Sequence, residues 1–167
     1  NKWVNKPVED LLLEWKPNKK DRLPVDLLNV AEVLELICKQ VHVKKALFDK
    51  FNSAEVVQRL MQFGVEAEDK SFSNPFQVQI YTNLKALIYT GQISLLDHFD
   101  HSRKLNANEE LKHIKLINGN KIDHDKDKGK DFSDARASCA WICSTDEVES
   151  IKHFAMPVIS GLQRRAN

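Results

Sequence analysis

Glycine, cysteine and long apolar runs are all scarce in this sequence, and each shortage excludes a class of protein. Five glycines among 167 residues leave little material for a glycine-rich phosphate loop or a dinucleotide-binding fingerprint, and neither motif occurs. A nucleophile elbow and the paired histidines of a zinc-protease helix are also missing. No apolar run approaches the roughly 18 residues that a membrane-spanning helix needs. We therefore expect a protein that is not an enzyme and needs no cofactor.

An excess of charge of either sign is also lacking. Lysine and arginine number 25 and aspartate and glutamate 24, so the formal net charge is +1, and the strong basic field typical of many nucleic-acid-binding domains is missing. The three cysteines, Cys38, Cys139 and Cys143, form no even disulfide framework, and each lies in an apolar stretch. We expect buried free thiols and an intracellular location, in the cytoplasm or the nucleus.

Helical periodicity dominates the apolar pattern. From Val25 to Val41, apolar residues recur with the three-four spacing of one helix face. Residues 53–64 and 74–91 have the pattern of helices that begin at a capping residue and end at a glycine. Short polar connectors separate these segments, and no repeat of fixed period is present. The sequence predicts an all-α fold, either a compact multi-helix bundle or an armadillo/HEAT-like helical stack.

One segment leaves the type of secondary structure open. Residues 114–122 contain an Asn-Gly pair flanked by alternating apolar residues, which is typical of a two-residue β-hairpin. The same residues can also continue a short helix that begins at Asn106 or Asn108 and ends at Gly119. We expect a helix followed by a loop, with a small hairpin near 114–122 as the alternative.

The N-terminal residues differ from the rest of the chain. Residues 1–23 combine an amphipathic segment with a basic linker in which Pro17 interrupts the pattern. Residues 24–167 then form the helical domain, so we expect a single globular domain overall. Because the chain begins at Asn1 rather than at methionine, we expect it to be part of a larger protein.

The segment DHDKDKGKD, residues 123–131, is the sharpest chemical pattern in the chain. Asp123, Asp125 and Asp127 occupy the first, third and fifth ligand positions of a calcium-binding EF-hand loop. The glycine required at the sixth position comes one residue late, at Gly129, and lysines within the loop oppose a divalent cation. A solvated connector is the favoured interpretation, with a weak metal site as the alternative.

Two histidines are a second, weak candidate for a metal site. His98 and His101 lie three residues apart, so on a helix they would share one face and could bind zinc. Zinc needs further ligands, which the sequence does not supply at a fixed spacing. We therefore predict no bound metal.

Local basic clusters are the sequence signal for nucleic acid. Trp15 adjoins the first cluster, which could combine an aromatic contact with phosphate contacts. A solvated linker is the more common role for such a run. The candidate residues are Lys16, Lys19, Lys20, Arg22, Arg103 and Lys104.

Amphipathic helices without catalytic motifs indicate binding rather than catalysis. We predict a non-catalytic protein–protein interaction domain, a scaffold or adaptor, that binds a peptide or helix of another protein in an apolar groove between its helices. A nucleic-acid-binding helical domain that uses the basic clusters is the alternative. No membrane association is expected.

Overall fold

Helices and short strands alternate along the chain. The structure, a computed structural model, describes residues 6–17, 20–50, 53–96, 107–126 and 129–145. The helices are α1 (Leu27–Gln40), α2 (Ala54–Met61), α3 (Asn74–Tyr89), α4 (Ala107–Lys112) and α5 (Asp131–Thr145). The strands are β1 (Lys45–Asp49), β2 (Glu66–Lys70), β3 (Ile114–Ile117) and β4 (Lys121–His124). The fold is mixed α/β, so the predicted all-α bundle or armadillo/HEAT-like stack is wrong.

The strands β1 and β2 are short and atypical, which explains the error. Each has five residues, too few for a period-two pattern to stand out from a helical one. β2 has the sequence EAEDK, and glutamate, aspartate and lysine are depleted in strands. β2 nevertheless pairs in parallel with β1 and buries Ala67 among residues of α1 and α2. Tertiary packing therefore overrides local preference.

Strand β1 lies between two layers of helices. Leu47 packs against a core formed mainly by α3 and α5, whereas Ala46 and Phe48 pack against a core formed by α1, α2 and β2. Successive side chains of a strand point to opposite faces of the sheet, so one short strand contributes to both cores. Parallel strands covered by helices on both faces are typical of α/β proteins.

Three of the predicted helices are confirmed with small changes at their ends: the helix predicted within 53–64 is the short α2, and the other two are the long helices α1 and α3. The helix predicted between Val25 and Val41 is α1, and the Asp26 carboxylate caps it by accepting backbone N–H bonds from Leu28 at 3.0 Å and Asn29 at 3.2 Å. The helix predicted within 74–91 is α3, and its Ile80 is completely buried. Both helices have an apolar face long enough to be recognised from sequence.

A β-hairpin follows α4. The expected helix followed by a loop is therefore wrong beyond Lys112, and the small hairpin near 114–122, which was the alternative prediction, is confirmed. Strands β3 and β4 are antiparallel, with Ile117 paired to Lys121. Asn118 and Gly119 form the turn with φ values of 49° and 72°. Asparagine and glycine tolerate this left-handed region better than other residues, which explains why the Asn-Gly pair marks the turn.

The N-terminal segment lies on the body of the fold as an extended chain. The Glu9 N–H donates to the Ser94 carbonyl at 2.8 Å, and the Ser94 N–H donates to the Pro7 carbonyl at 2.9 Å. Arg136 of α5 forms a two-pronged ion pair with Glu9, at 2.8 Å for each hydrogen bond. Backbone pairing and a buried ion pair therefore hold residues 7–9 against α5.

Candidate functional site

A polar cleft of about 560 Å³ opens where β1 and β2 end. Its walls come from the ends of both strands, the first turn of α3 and the first turn of α5. The lining residues are Asp49, Lys50, Ser71, Phe72, Gln77, Lys130 and Asp134. The cleft thus brings together residues that lie far apart in the sequence.

Strand topology explains the position of the cleft. β1 and β2 are parallel and in register, with Asp49 opposite Lys70, so both strands end at the same edge of the sheet. The residues that follow each strand, Lys50 and Ser71, therefore lie side by side at this edge. In open α/β sheets, ligands bind in the crevice outside the carboxyl ends of the strands. The cleft is consequently the best candidate for a functional site in the described part of the chain.

Asp134 is fixed by two neighbouring side chains. The Tyr81 hydroxyl donates to Asp134 Oδ1 at 2.7 Å, and the Lys130 ammonium lies 3.3 Å from Asp134 Oδ2. Burial, followed by the negative charge of Asp134, raises the pKa of Tyr81 above its ordinary value. The Tyr81 hydroxyl therefore keeps its proton and donates it to the hydrogen bond with the Asp134 carboxylate.

Gln77 connects α3 to both other walls of the cleft. Its amide oxygen accepts a hydrogen bond from Lys130 Nζ at 2.8 Å, and its amide nitrogen donates to the Phe72 carbonyl at 2.7 Å. The Lys130 ammonium is thus held between an amide oxygen and a carboxylate. An ammonium group has three donor directions, and the hydrogen bond to Gln77 together with the ion pair to Asp134 leaves donor capacity for a ligand.

Three polar side chains of the cleft have no such partners. Asp49, Lys50 and Ser71 are exposed, and the described residues form no hydrogen bond or ion pair with their side chains. A carboxylate, an ammonium group and a hydroxyl are therefore available beside Lys130. The arrangement can bind an anion through its lysines and a cation through Asp49.

The two predicted metal ligands that the structure describes, Asp123 and Asp125, are each paired with neighbouring side chains. Asp123 pairs with Lys121 at 2.6 Å, and Asp125 pairs with Lys115 and with His113. Asp127, His98 and His101 lie outside the described residues. Within the described ranges, no group of three or more histidine, cysteine, aspartate or glutamate residues is placed to hold a metal ion. The two carboxylates of the cleft could hold one only together with water or a ligand.

The predicted nucleic-acid contacts that the structure describes, Lys16, Lys20 and Arg22, do not line the cleft. Lys16 pairs with Glu14 at 3.1 Å, and Lys20 and Arg22 are exposed in the turn before α1. None of these three residues lines the cleft. Lys19, Arg103 and Lys104 lie outside the described residues.

Sequence analysis missed the cleft residues because each has an ordinary context in the chain. One sequence signal could have indicated the cleft. The three apolar residues of β1 are followed by the charged residues Asp49 and Lys50, and ligands of parallel sheets bind beyond the carboxyl ends of the strands. That signal requires β1 to be recognised as a strand. Lys130 was noted only as an obstacle to calcium binding, although in the structure it lines the cleft.

Two observations bear on the expected location of the protein. Cys38 is half-buried, but Cys139 and Cys143 are exposed, so the expectation of three buried thiols is wrong. These two residues lie on one side of α5, a helix that buries mainly its small and polar residues. Within the described residues, none of the helices has the length and apolar character needed to cross a membrane.

Comparison with known proteins adds no functional information. No protein-family model matches the chain, and searches of curated proteins and of solved structures found no significant match. The function is therefore argued from the geometry of the cleft.

Proposed function

We propose that this domain binds nucleic acid through the phosphate backbone, at the cleft where β1 and β2 end. The observation that carries this proposal is the convergence of Lys50 and Lys130 in one open polar cleft. Lysine ammonium groups bind phosphate as point charges, and phosphate contacts supply most of the sequence-independent affinity for nucleic acid. The proposal keeps the alternative function predicted from the sequence but places it at a different site.

The chemistry of the lining argues against the apolar groove that the sequence predicted. Phe72 is the sole apolar residue among the seven that line the cleft, whereas pockets for small molecules are mostly apolar and enclose their ligand. A polymer with repeated phosphates needs only an open and partly basic surface, with an aromatic ring on which a base can stack. The cleft provides the open and partly basic surface through Lys50 and Lys130, and Phe72 lines it while also packing against the core of α3 and α5.

The two carboxylates determine how phosphate would bind. Asp134 is compensated by Lys130 and Tyr81, but Asp49 has no cationic partner among the described residues and would repel a phosphate. Magnesium ions in proteins are commonly held by one or two carboxylates together with phosphates of the ligand. We therefore expect Mg²⁺ to strengthen binding by bridging Asp49 and a phosphate.

Fluorescence anisotropy with a labelled oligonucleotide tests the proposal. Binding is measured over a salt series, with MgCl₂ or with EDTA, for DNA and RNA in single-stranded and double-stranded form. We expect affinity to fall with salt, and each of Lys50→Ala and Lys130→Ala to reduce the slope of log K against log salt by about 0.7 to 0.9. Electrophoresis of the same samples reports whether the strand stays intact, and cleavage would add phosphodiester hydrolysis to binding.

A matched variant separates the cleft from general positive charge. Lys85 lies exposed on α3 and does not line the cleft, so Lys85→Ala removes the same charge from another surface. We expect this variant to bind like the unmodified chain. Absence of binding at roughly 50 mM salt, or an equal loss in the Lys85 variant, would contradict the proposal.

Protein binding is retained as a second candidate function because of the surface of α1. Leu27, Leu28 and Leu36 are 44%, 52% and 57% exposed, and exposed apolar clusters often mark contacts with other proteins. Affinity capture from cell extract treated with nuclease tests this candidate. Leu36→Glu is expected to lower the recovery of a partner held by α1.

We also propose an intracellular location, in the cytoplasm or the nucleus. Cys38 and Cys139 form no disulfide, and reduced thiols are typical of a reducing compartment. Nucleic acid as the ligand supports the same location. Fluorescence microscopy of the tagged chain tests it.

A further inference from the structure

Among the residues that the structure describes, strand β1 has a ladder partner on one side only. The Glu66 N–H donates to the Lys44 carbonyl at 2.9 Å, and the Lys50 N–H donates to the Lys70 carbonyl at 3.2 Å. Even-numbered residues of β1 therefore direct their backbone groups toward β2. Odd-numbered residues, with Leu47 at the centre, direct theirs to the opposite side, where no strand lies among the described residues.

The two outer sides of this sheet differ in character. β2 has the sequence EAEDK, and charged residues on an edge strand discourage pairing with further strands. β1 has the sequence KALFD, with three consecutive apolar residues as in the interior strand of a parallel sheet. β2 is therefore protected as a true edge, whereas β1 has the composition of a strand with neighbours on both sides.

Burial of β1 points in the same direction. Leu47 and Phe48 pack against the two opposite helical cores, yet both side chains remain only half-buried. Interior strands of sheets that are covered on both faces are normally buried. Since helices already cover both faces of β1, the remaining exposure is that of a strand with one open side.

We propose that the open side of β1 binds an extended strand of a partner polypeptide, which adds in parallel to β1. Neighbouring strands interact through side chains that lie opposite each other. Asp49 therefore favours a basic residue at the carboxyl end of the partner strand, and Lys45, which already pairs with Glu66 of β2 at 3.3 Å, adds a weaker preference for an acidic residue at its amino end. Apolar β-branched residues belong between them, because both faces of the sheet are covered by helices.

A second copy of this chain fits the open side less well than an isolated strand. The β1 strand of a second copy would bring its own helices on both faces, into the space beside the helical layers that already cover β1. An extended segment without flanking helices avoids this collision. Such strand addition is a common mode of peptide recognition.

An NMR titration of the isotopically labelled full chain tests the proposal. The probe is the acetylated and amidated peptide Thr-Glu-Val-Ile-Val-Lys-Thr. The control is the peptide of reversed sequence, which has the same composition but places its charges opposite those of β1 only in antiparallel orientation. We expect saturable shifts of the Leu47 and Asp49 amides and about tenfold tighter binding of the probe than of the control. Without peptide, the Leu47 amide should exchange rapidly with solvent, because it has no ladder partner.

Two modified peptides test whether main-chain hydrogen bonds hold the probe. One carries an N-methyl group on the isoleucine and the other on the preceding valine, and neighbouring amides of a strand point to opposite sides. We expect one of the two to bind about tenfold more weakly and the other to bind like the probe. Equal affinities of the two modified peptides would overturn the proposal.

A charge exchange tests the register. Asp49→Lys should weaken binding of the probe peptide up to about fivefold. The same variant should bind a peptide with glutamate in place of the probe's lysine more tightly, by a similar factor. Because the readout is peptide affinity, it is independent of nucleic-acid binding at the cleft.

Four outcomes would overturn the proposal. The peptides could cause no saturable shifts, or the reversed peptide could bind as well as the probe. The Leu47 amide could already be protected without peptide, or sedimentation could show a dimer paired through β1.

Discussion

The ion pair between Glu9 and Arg136 is expected to be the most sensitive polar contact in the fold. Arg136 Nε donates to Glu9 Oε1 and a terminal guanidinium nitrogen donates to Oε2, both at 2.8 Å. The Arg136 side chain is 2% exposed and that of Glu9 is 11% exposed. The Leu96 N–H also donates to Glu9 Oε2 at 2.8 Å, and Arg136 donates to Asn108 Oδ1 at 2.9 Å. The carboxylate thus joins the N-terminal segment, the chain after α3 and α5.

The substitution Glu9→Gln removes the negative charge but keeps the shape of the side chain. Arg136 cannot lose its proton in a protein, so the variant leaves a buried positive charge without its counter-ion. Removing one partner of a buried pair costs about 3 to 5 kcal/mol. A single domain has about 5 to 15 kcal/mol of total stability, so the loss is a large fraction of what holds this fold.

Denaturation of the purified chain by urea, followed by circular dichroism, measures the effect. Glu14→Gln is the matched control, because Glu14 lies in the same segment but pairs with Lys16 on the surface, at 3.1 Å, with Lys16 59% exposed. An exposed pair of this kind contributes about 0 to 1 kcal/mol. The midpoint should therefore fall strongly for Glu9→Gln and hardly at all for Glu14→Gln.

A double variant separates loss of the pair from loss of burial. Glu9→Gln combined with Arg136→Met removes both charges, and replacing both partners of a buried pair by uncharged groups is often nearly neutral. We expect the double variant to be more stable than Glu9→Gln alone. If Glu9→Gln stays within about 0.5 kcal/mol of the unmodified chain, the reasoning from burial and geometry is wrong.

Two further predictions concern the core and the hairpin. Ile80→Ala should lower the free energy of unfolding by about 2 to 5 kcal/mol because Ile80 is 0% exposed, whereas Ile88→Ala on the same helix, at 40% exposure, should cost under about 1 kcal/mol; equal losses in urea denaturation would contradict this. Hydrogen bonds from Lys115 and His113 lower the pKa of Asp125, so its contribution to hairpin stability is present above the ordinary aspartate pKa of about 3.9 and is lost as pH falls through the lowered value. Amide shifts of β3 should report this loss on acidification, and Asp125→Asn should abolish the pH dependence.

The elements that could be predicted from sequence are those whose packing repeats over several turns. α1 and α3 have 14 and 16 residues, so their apolar faces recur often enough to be recognised. β2 offers no such repetition, since Ala67 is the one residue of the strand that is buried. Its strand conformation depends on β1 and on the helical layer beneath it, which a local pattern does not contain.

The candidate site was harder to predict than the fold because it depends on the missed strands. Asp49 and Asp134 line one cleft only because β1 ends at the first turn of α5, and this follows from the packing of Leu47 between α3 and α5. A chain interpreted as all-α places Asp49 in a connector and Asp134 in a polar loop. The same all-α interpretation is the basis of the predicted apolar groove between helices, which stays a prediction.

The segment DHDKDKGKD shows how the fold separates residues that the sequence places in one pattern. Interpreted as one loop, its aspartates suggest a cation site, but the structure divides the segment between two surfaces. Asp123 and Asp125 form ion pairs on the hairpin. Lys130, in contrast, directly precedes α5, and its backbone carbonyl accepts a hydrogen bond from the Asp134 N–H at 2.8 Å. The side chain of Lys130 lines the cleft. The lysines that argued against calcium thus include Lys130, which lines the cleft, and this division of the segment follows from where the hairpin ends and α5 begins.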